Sequence, residues 1–373
     1  MRMGIIGGGQ LARMMVPPAQ RLGVEIWVLE KEDGCPAQQA GARQVVGDWN
    51  DPAVAVEFAR NMDVVSLDHE FTPLAVLEQV ERVTRLAPSF ETMSMVADKF
   101  VQKRHLQNAG LPMVASQPFS TREELVAIAE RLGWPLVVKT RRCGYDGKGT
   151  WILAGPEDEI PDLSAGALYA ERFFPFKSEI AVMLARTEAG EVLTYPVVET
   201  IQKNHVCQSV KYPSGLSAEL QKKAAWLAVE AAEAVEAFGV LGVEMFVGPE
   251  GEIIVNELAP RPHNSGHYTL DCCITSQFEN HVRAVCGFAL GSVDTLVEQA
   301  VMVNLLGDGY GSGVPRGLHE LLREPRAKLH LYGKAARPGR KLGHLTLLGE
   351  LSAPLLQKGL GLAEKLLFEE CDV

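Results

Sequence analysis

The chain has 373 residues, enough for two or three domains with ample core, and 47% of them are apolar at a mean hydropathy of +0.02, the balance of a globular protein. Its 36 Lys and Arg against 47 Asp and Glu give a formal charge of −11, which argues against nucleic acid or an anionic membrane surface as partner. No apolar run approaches a membrane span, no secretory signal is visible, and seven irregularly spaced cysteines fit a reducing cytoplasmic setting rather than a disulfide framework.

Residues 1–96 read as a doubly wound parallel-sheet domain. Residues 3–6 form an apolar strand, Gly7-Gly8-Gly9-Gln10 opens a helix over 11–22, and a strand over 24–29 ends at Glu30. Gly7, Gly9 and Ala12 fit the G-x-G-x-x-A pattern. That pattern admits a dinucleotide, another ligand at the helix N-terminus, or close packing alone. Strands over 45–46, 64–67 and 86–87 alternate with helices over 52–61 and 74–83. Ser66-Leu67-Asp68-His69-Glu70 ends the fourth strand where open sheets bind ligands, which makes Glu70 a site candidate ahead of Asp68 and His69.

The next segment, residues 97–294, mixes helices and strands, with a flap subdomain at about 115–175. A helix over 98–109 carries Lys99, Lys103 and Arg104, cations that suit a solvated face, with Lys99 at its start. A helix over 120–132 has Glu123 and Glu124 in its first turn, as the macrodipole favours. The strand over 134–139 ends at Lys139. Then comes a Gly-rich basic loop containing Gly144-Tyr145-Asp146-Gly147-Lys148-Gly149, closed by a strand over 150–153. Such a loop is suited to covering phosphates, though it lacks the ending of a Walker A; the competing reading is an ordinary basic hairpin tip. Strands over 168–173, 179–185 and 191–198 follow. Glu171 and Glu179 flank an aromatic hinge, Phe173-Phe174-Pro175-Phe176. An Ala-rich helix spans 218–238.

Val243–Val247 and Glu252–Glu257 read as the two strands of a hairpin. A two-residue loop at Glu250-Gly251 places Glu244 directly opposite Glu257, with Cβ atoms about 5 Å apart. Carboxylates that close call for a neutraliser, and a hard divalent cation, Mg2+, bridges carboxylates to nucleotide phosphates. The competing reading is two solvated acids, and a one-residue bulge would break the register. Arg261, His263 and Asn264 follow, suited to an anionic substrate. Cys272-Cys273 reads as packing. A helix spans 275–285, and residues 295–373 read as a small β-rich domain of short strands and turns. There Lys334, Arg337, Arg340 and Lys341 concentrate positive charge, as a solvated turn or a phosphate clamp.

The order of these parts resembles an ATP-grasp enzyme. Four stretches are similar to the 5-(carboxyamino)imidazole ribonucleotide synthase family of purine biosynthesis: residues 7–14 (GGGQLARM), 144–149 (GYDGKG), 256–267 (NELAPRPHNSGH) and 337–341 (RPGRK). Residues 275–279 and 302–307 also match, so the resemblance covers essentially the whole chain. It implies a ligase that uses ATP and bicarbonate to carboxylate the exocyclic amine of 5-aminoimidazole ribonucleotide through carboxyphosphate, in a cytoplasmic homodimer.

By the same resemblance, Glu244 and Glu257 would hold Mg2+, one ion or two. Lys99, Lys139 and the flap from Gly144 through Gly147, Lys148 and Gly149 to Thr150 would meet the ATP phosphates, with Asn256 beside them. Glu171, Arg172, Phe173 and Phe174 would bind adenine, and Glu179 the ribose near Gln202. Arg261 and His263 would hold bicarbonate and then carboxyphosphate. Tyr145 and Asp146 would place the aminoimidazole, Asp146 taking its amine proton. Gln10 and Glu70 would line the substrate site, and Lys334 and Arg340 would grip the ribonucleotide phosphate. The chain departs from the family pattern at residues 67–73, at Gln202, where a histidine is usual and His205 lies nearby, and at Cys143, where a glycine is usual. The alternatives are a formate-dependent glycinamide ribonucleotide transformylase, a dinucleotide-dependent oxidoreductase and a non-catalytic nucleotide sensor.

Overall fold

The computed structural model describes residues 1–142, 144, 148–159, 167–203, 205–350 and 354–368. The first sheet has five parallel strands in the order Arg43–Val46, Glu25–Glu30, Arg2–Ile6, Val64–Leu67, Arg85–Ala87. Side chains alternate between its two faces. Ile6, Leu29, Val65 and Leu67 pack with Phe58 and Leu77, while Met3, Ile5, Val28 and Val64 pack with Met15 and Ala19. The second face is also covered by Phe278 and Val282 from the distant helix Gln277–Val285. Strand order reverses at Arg2–Ile6, so the crevice beyond it and Val64–Leu67 is a switch point.

The flap region is a four-stranded sheet in the order Ser116–Phe119, Leu168–Arg172, Leu136–Thr140, Thr150–Leu153. Helix Arg122–Leu132 packs Leu125, Ile128 and Ala129 onto it. Thr121 caps that helix by accepting from the Glu124 N–H.

The largest sheet has nine strands. Its order is Ile253–Ala259, Gly239–Val247, Ser178–Arg186, Val198–Lys203, Val206–Tyr212, Gln299–Leu306, Lys341–Gly349, Ala327–Leu331, with Val192–Thr194 beside Ser178–Arg186. Two expectations change here. The single strand expected over 191–198 is two, parted at Tyr195-Pro196-Val197, where Pro196 cannot donate to a ladder. The C-terminal strands join the central sheet, Ser209 pairing with Val303. Among the described residues, no helix is long and apolar enough to cross a membrane. Cys272 and Cys273 are both buried in an apolar cluster.

Candidate active site

The hairpin ladder pairs Val247 with Ile253, Phe246 with Ile254 and Met245 with Val255. This is one residue out of step with a two-residue loop. The turn is the longer Pro249-Glu250-Gly251, closed by the Gly248 N–H donating to the Glu252 carbonyl at 2.9 Å, with Gly251 at φ +85°. Unbroken, that ladder would set Asn256 opposite Glu244. A bulge at Asn256 shifts the strand by one, and Glu244 stands opposite Glu257. The facing pair is thus present through the feature expected to destroy it.

Both carboxylates keep partial exposure, 24% and 32%, on the cleft side. Burial pushes the Glu244 carboxyl up, and the charges of Glu257 and Glu179 push it further. Burial acts likewise on Glu257, but the Lys99 ammonium, 2.6 Å away, overcomes it and holds that carboxyl low. Two oxygen donors whose joint ionisation needs a cation fit Mg2+. Among the described residues, no group of three His, Cys, Asp or Glu side chains could hold a metal, so an ion on this pair would complete its shell with other oxygens, water or nucleotide.

Lys99 starts helix Lys99–Asn108, whose first turn is capped by Asp98 accepting from the Phe100 and Val101 N–H groups. Asp98 also pairs with Arg141, and the Lys99 N–H donates to the Arg141 carbonyl, fastening this helix to the flap's base. Lys103 is not on a solvated face. It is 1% exposed and pairs with Glu171 at 2.8 Å, while Lys139 approaches the other Glu171 oxygen at 3.1 Å. The signal was in the spacing, since residues four apart share a helix face and Lys99 faces inward. The Glu171 carboxylate, expected at the adenine contact, is therefore committed to two lysines. Lys139 also donates to Asn256 Oδ1 at 3.3 Å.

Gly144, Lys148 and Thr150 line the same cleft. At the flap's base Gly149 has φ +77°, and a Cβ there would lie 2.4 Å from Thr140 Oγ1. Tyr145, Asp146 and Gly147 of the expected site, with Cys143, lie outside the described residues.

The aromatic hinge borders the cleft through Phe173, Phe174 and Phe176. Phe176 stacks on Phe246 at 4.5 Å, and Phe174 lies 6.4 Å from it. Arg172 is exposed at the strand end. Glu179 faces Phe246 in the ladder. Burial pushes the Glu179 carboxyl up, against a hydrogen bond from Gln202. Gln202 thus serves Glu179, and His205 lines the cleft beside it.

At the opposite end, Lys334 Nζ donates to Gln10 Oε1 at 2.6 Å, joining residues 324 apart in sequence. Burial pushes the Lys334 ammonium down to about 8, with Arg340 and other cations assisting and Asp68 opposing. Arg340 donates to the Ala335 carbonyl at 3.1 Å, and Arg337 and Lys341, which the sequence offered only as part of a cluster, line the cleft with it. Arg261 pairs with Glu70 at 3.2 Å, and His263 Nδ1 lies 3.8 Å from Glu244 and 2.9 Å from the Ser265 hydroxyl. Missed altogether was a buried amide pair, Asn264 with Asn304, each donating to the other at 2.8 and 2.7 Å.

The glycine turn is occupied by its own protein. Gly8 N–H donates to Glu30 and Ala12 N–H to Asp68. A Cβ on Gly8 would meet Cys35 Sγ at 2.3 Å and one on Gly9 Asp68 Oδ2 at 2.3 Å. The acid ending the second strand therefore satisfies the loop rather than a ribose, and these glycines serve close packing. His69 stacks on Phe71 at 5.4 Å and lies tilted against Trp49 at 4.9 Å.

A two-part nucleotide cleft under a Gly-rich flap, floored by paired acids, defines an ATP-grasp protein. Residues 104–278 match the ATP-grasp domain family, residues 1–97 the ribonucleotide synthetase preATP-grasp domain, and residues 300–358 the phosphoribosylaminoimidazole carboxylase C-terminal domain. The chain is 41% identical to N5-carboxyaminoimidazole ribonucleotide synthase of Synechococcus elongatus, over 92% of this chain and 88% of that one. It is 40% identical to phosphoribosylaminoimidazole carboxylase of Ogataea methanolica over 93% of its length, and it spans about two thirds, 66%, of that longer relative. It superposes with a TM-score of 0.89 and 34% identity on N5-carboxyaminoimidazole synthase from Aspergillus clavatus in complex with ADP and 5-aminoimidazole ribonucleotide, covering 98% of each chain. The chain belongs to the N5-carboxyaminoimidazole ribonucleotide synthase family.

Proposed function

We propose that this chain uses ATP and bicarbonate to carboxylate the exocyclic amine of 5-aminoimidazole ribonucleotide, releasing ADP and phosphate. One observation carries the reading. A single cleft of about 870 Å³ has two cationic ends, Lys99 and Lys139 beside the facing acids and Lys334 beside Gln10, within a protein of net charge −11. That volume lies near the top of the usual range for ligand pockets, which suits two nucleotides rather than one.

Bicarbonate is a poor electrophile. Its oxygen would attack the γ-phosphorus, the bond to ADP would break, and carboxyphosphate would form. The amine would then attack the carboxyl carbon, with phosphate leaving and the amine proton passing to Asp146. Lys99 and Lys139 would neutralise phosphate charge, with Lys139 held in place by Glu171 and Asn256. Glu244 and Glu257 would hold Mg2+, which when bound supplies charge neutralisation across the phosphates. Arg261 and His263 would hold the bicarbonate. Lys334 and Arg340 would take the ribonucleotide phosphate, the arginine through its planar fork. The proposal includes a cytoplasmic homodimer, the commonest assembly among soluble oligomers.

The test is ADP formation with each pair of co-substrates. Bicarbonate with 5-aminoimidazole ribonucleotide is expected to drive it. ADP formed only with formate and glycinamide ribonucleotide would assign the transformylase reaction instead, and ATP binding without turnover under either pair would leave a sensor.

A further inference from the structure

Between the two ends of the cleft runs a buried polar frame that the proposed chemistry does not use. Gln277, fully buried, accepts from the His263 N–H at 3.0 Å and donates to the His263 carbonyl at 2.8 Å. Those backbone groups fix the amide's orientation, because an N–H only donates and a carbonyl only accepts. The Gln277 nitrogen also lies 3.1 Å from His267 Nδ1 and so donates to it, which puts the proton of neutral His267 on Nε2. The His267 ring centre is 5.1 Å from that of His344, whose Nδ1 is 2.8 Å from the Tyr332 hydroxyl. His344 sits in strand Lys341–Gly349 opposite His330 of strand Ala327–Leu331, and Tyr332 closes that hairpin's base, its N–H donating to the Leu342 carbonyl. Lys334 and Arg340 belong to the loop of that hairpin.

His267, His344 and Tyr332 are each 0% exposed. Burial holds both imidazoles well below their ordinary value, so both are neutral. Among the described residues, neither His267 Nε2 nor His344 Nε2 has a hydrogen-bond partner. An unpaired buried polar atom is destabilising, and apolar side chains would fill the same space without that cost. The frame's value therefore lies in geometry. It ties His263 to the hairpin of Lys334 and Arg340 by side chains that touch neither substrate.

We propose that His267, His344 and Tyr332 are positioning residues that set the distance between the bicarbonate end of the cleft and the ribonucleotide-phosphate end. The inference rests on the carboxylation proposed above. Misplacing two reactants by an ångström slows their encounter severely, and carboxyphosphate that waits is lost to water.

The experiment measures KM for ATP, KM for 5-aminoimidazole ribonucleotide, and ADP formed per carboxylated product. His344→Phe keeps the ring and removes both nitrogens. It is expected to raise the ribonucleotide KM about ten-fold, leave the ATP KM within about two-fold, and raise ADP per product above one. His344→Asn, which keeps a polar partner for Tyr332, should restore most of the loss. Tyr332→Phe removes one hydroxyl, should act in the same direction, and decides the matter if His344→Phe does not fold. Wild-type KM and stoichiometry in these variants would overturn the proposal, as would a parallel rise in the ATP KM. A wild-type enzyme that forms no ADP with these co-substrates would overturn the carboxylation reading itself and the inference with it.

Discussion

Glu257 sits between two influences of opposite sign, the Lys99 ammonium at 2.6 Å and the Glu244 carboxyl opposite. Glutamine at 257 keeps the shape and can still accept from Lys99, but it removes the charge a divalent cation needs. Glu257→Gln is expected to lower ADP formation by about 10³-fold while circular dichroism stays unchanged. Activity near wild type would sink the metal role. Lys334 offers a pH signature at the other end. Its ammonium is pushed down to about 8, so as pH rises through that value the free enzyme loses the charge that would meet a phosphate. The ribonucleotide KM should therefore climb above pH 8, and Lys334→Arg, which stays charged, should flatten the climb. At this scale the sequence made Glu244 and Glu257 legible through strand alternation and turn residues. It hid the bulge at Asn256, because bulges carry no local signature there, and an error in turn length was cancelled by it.

Among the elements, the joint between helix Lys99–Asn108 and the flap strands depends on the buried pair Lys103–Glu171 and on Lys139 beside it. Burial would raise the Glu171 carboxyl, but the two lysines overcome it and hold it down to about 2. Removing its charge leaves the buried Lys103 ammonium facing the partly exposed Lys139 with no counter-charge between them. Glu171→Gln is expected to cost about 3–5 kcal/mol in urea unfolding. In the parent protein, the stabilisation from this carboxylate is complete above its ordinary value of 4.5. It is lost as pH falls from there toward about 2, since the unfolded chain binds the proton first. A stability curve that stays flat over that window would contradict the assignment. Most elements were legible from hydrophobic period and turn residues, though the caps at Thr121 and Asp98 emerged only in the structure. Strand Val206–Tyr212 was not, because Gln208, Ser209 and Lys211 give it a polar look although Ser209 is fully buried between neighbouring strands.

For the molecule as a whole, long-range pairing is what local sequence leaves out. The order of parts could be read, yet nothing near residue 295 announces that the following strands complete the central sheet. Strand Gln299–Leu306 pairs with Val206–Tyr212 on one side and Lys341–Gly349 on the other, and Ala300, Val301 and Met302 are fully buried. Asn304 on that strand holds Asn264 beside Arg261 and His263, and Lys334 reaches back to Gln10 of the first domain. His281, buried on helix Gln277–Val285, bonds Ser66 of the parallel sheet at 2.9 Å and takes the Val240 N–H at 3.0 Å. With these ties, the three segments should unfold together. Calorimetry on the full chain is expected to give one transition. A fragment ending at residue 294 would expose the edge of Val206–Tyr212 and strip its apolar cover, so it should aggregate or melt without a cooperative transition. A soluble fragment with its own sharp melting transition would mean that the central sheet closes without its C-terminal strands, and that the two ends of the cleft are held together by contacts other than these.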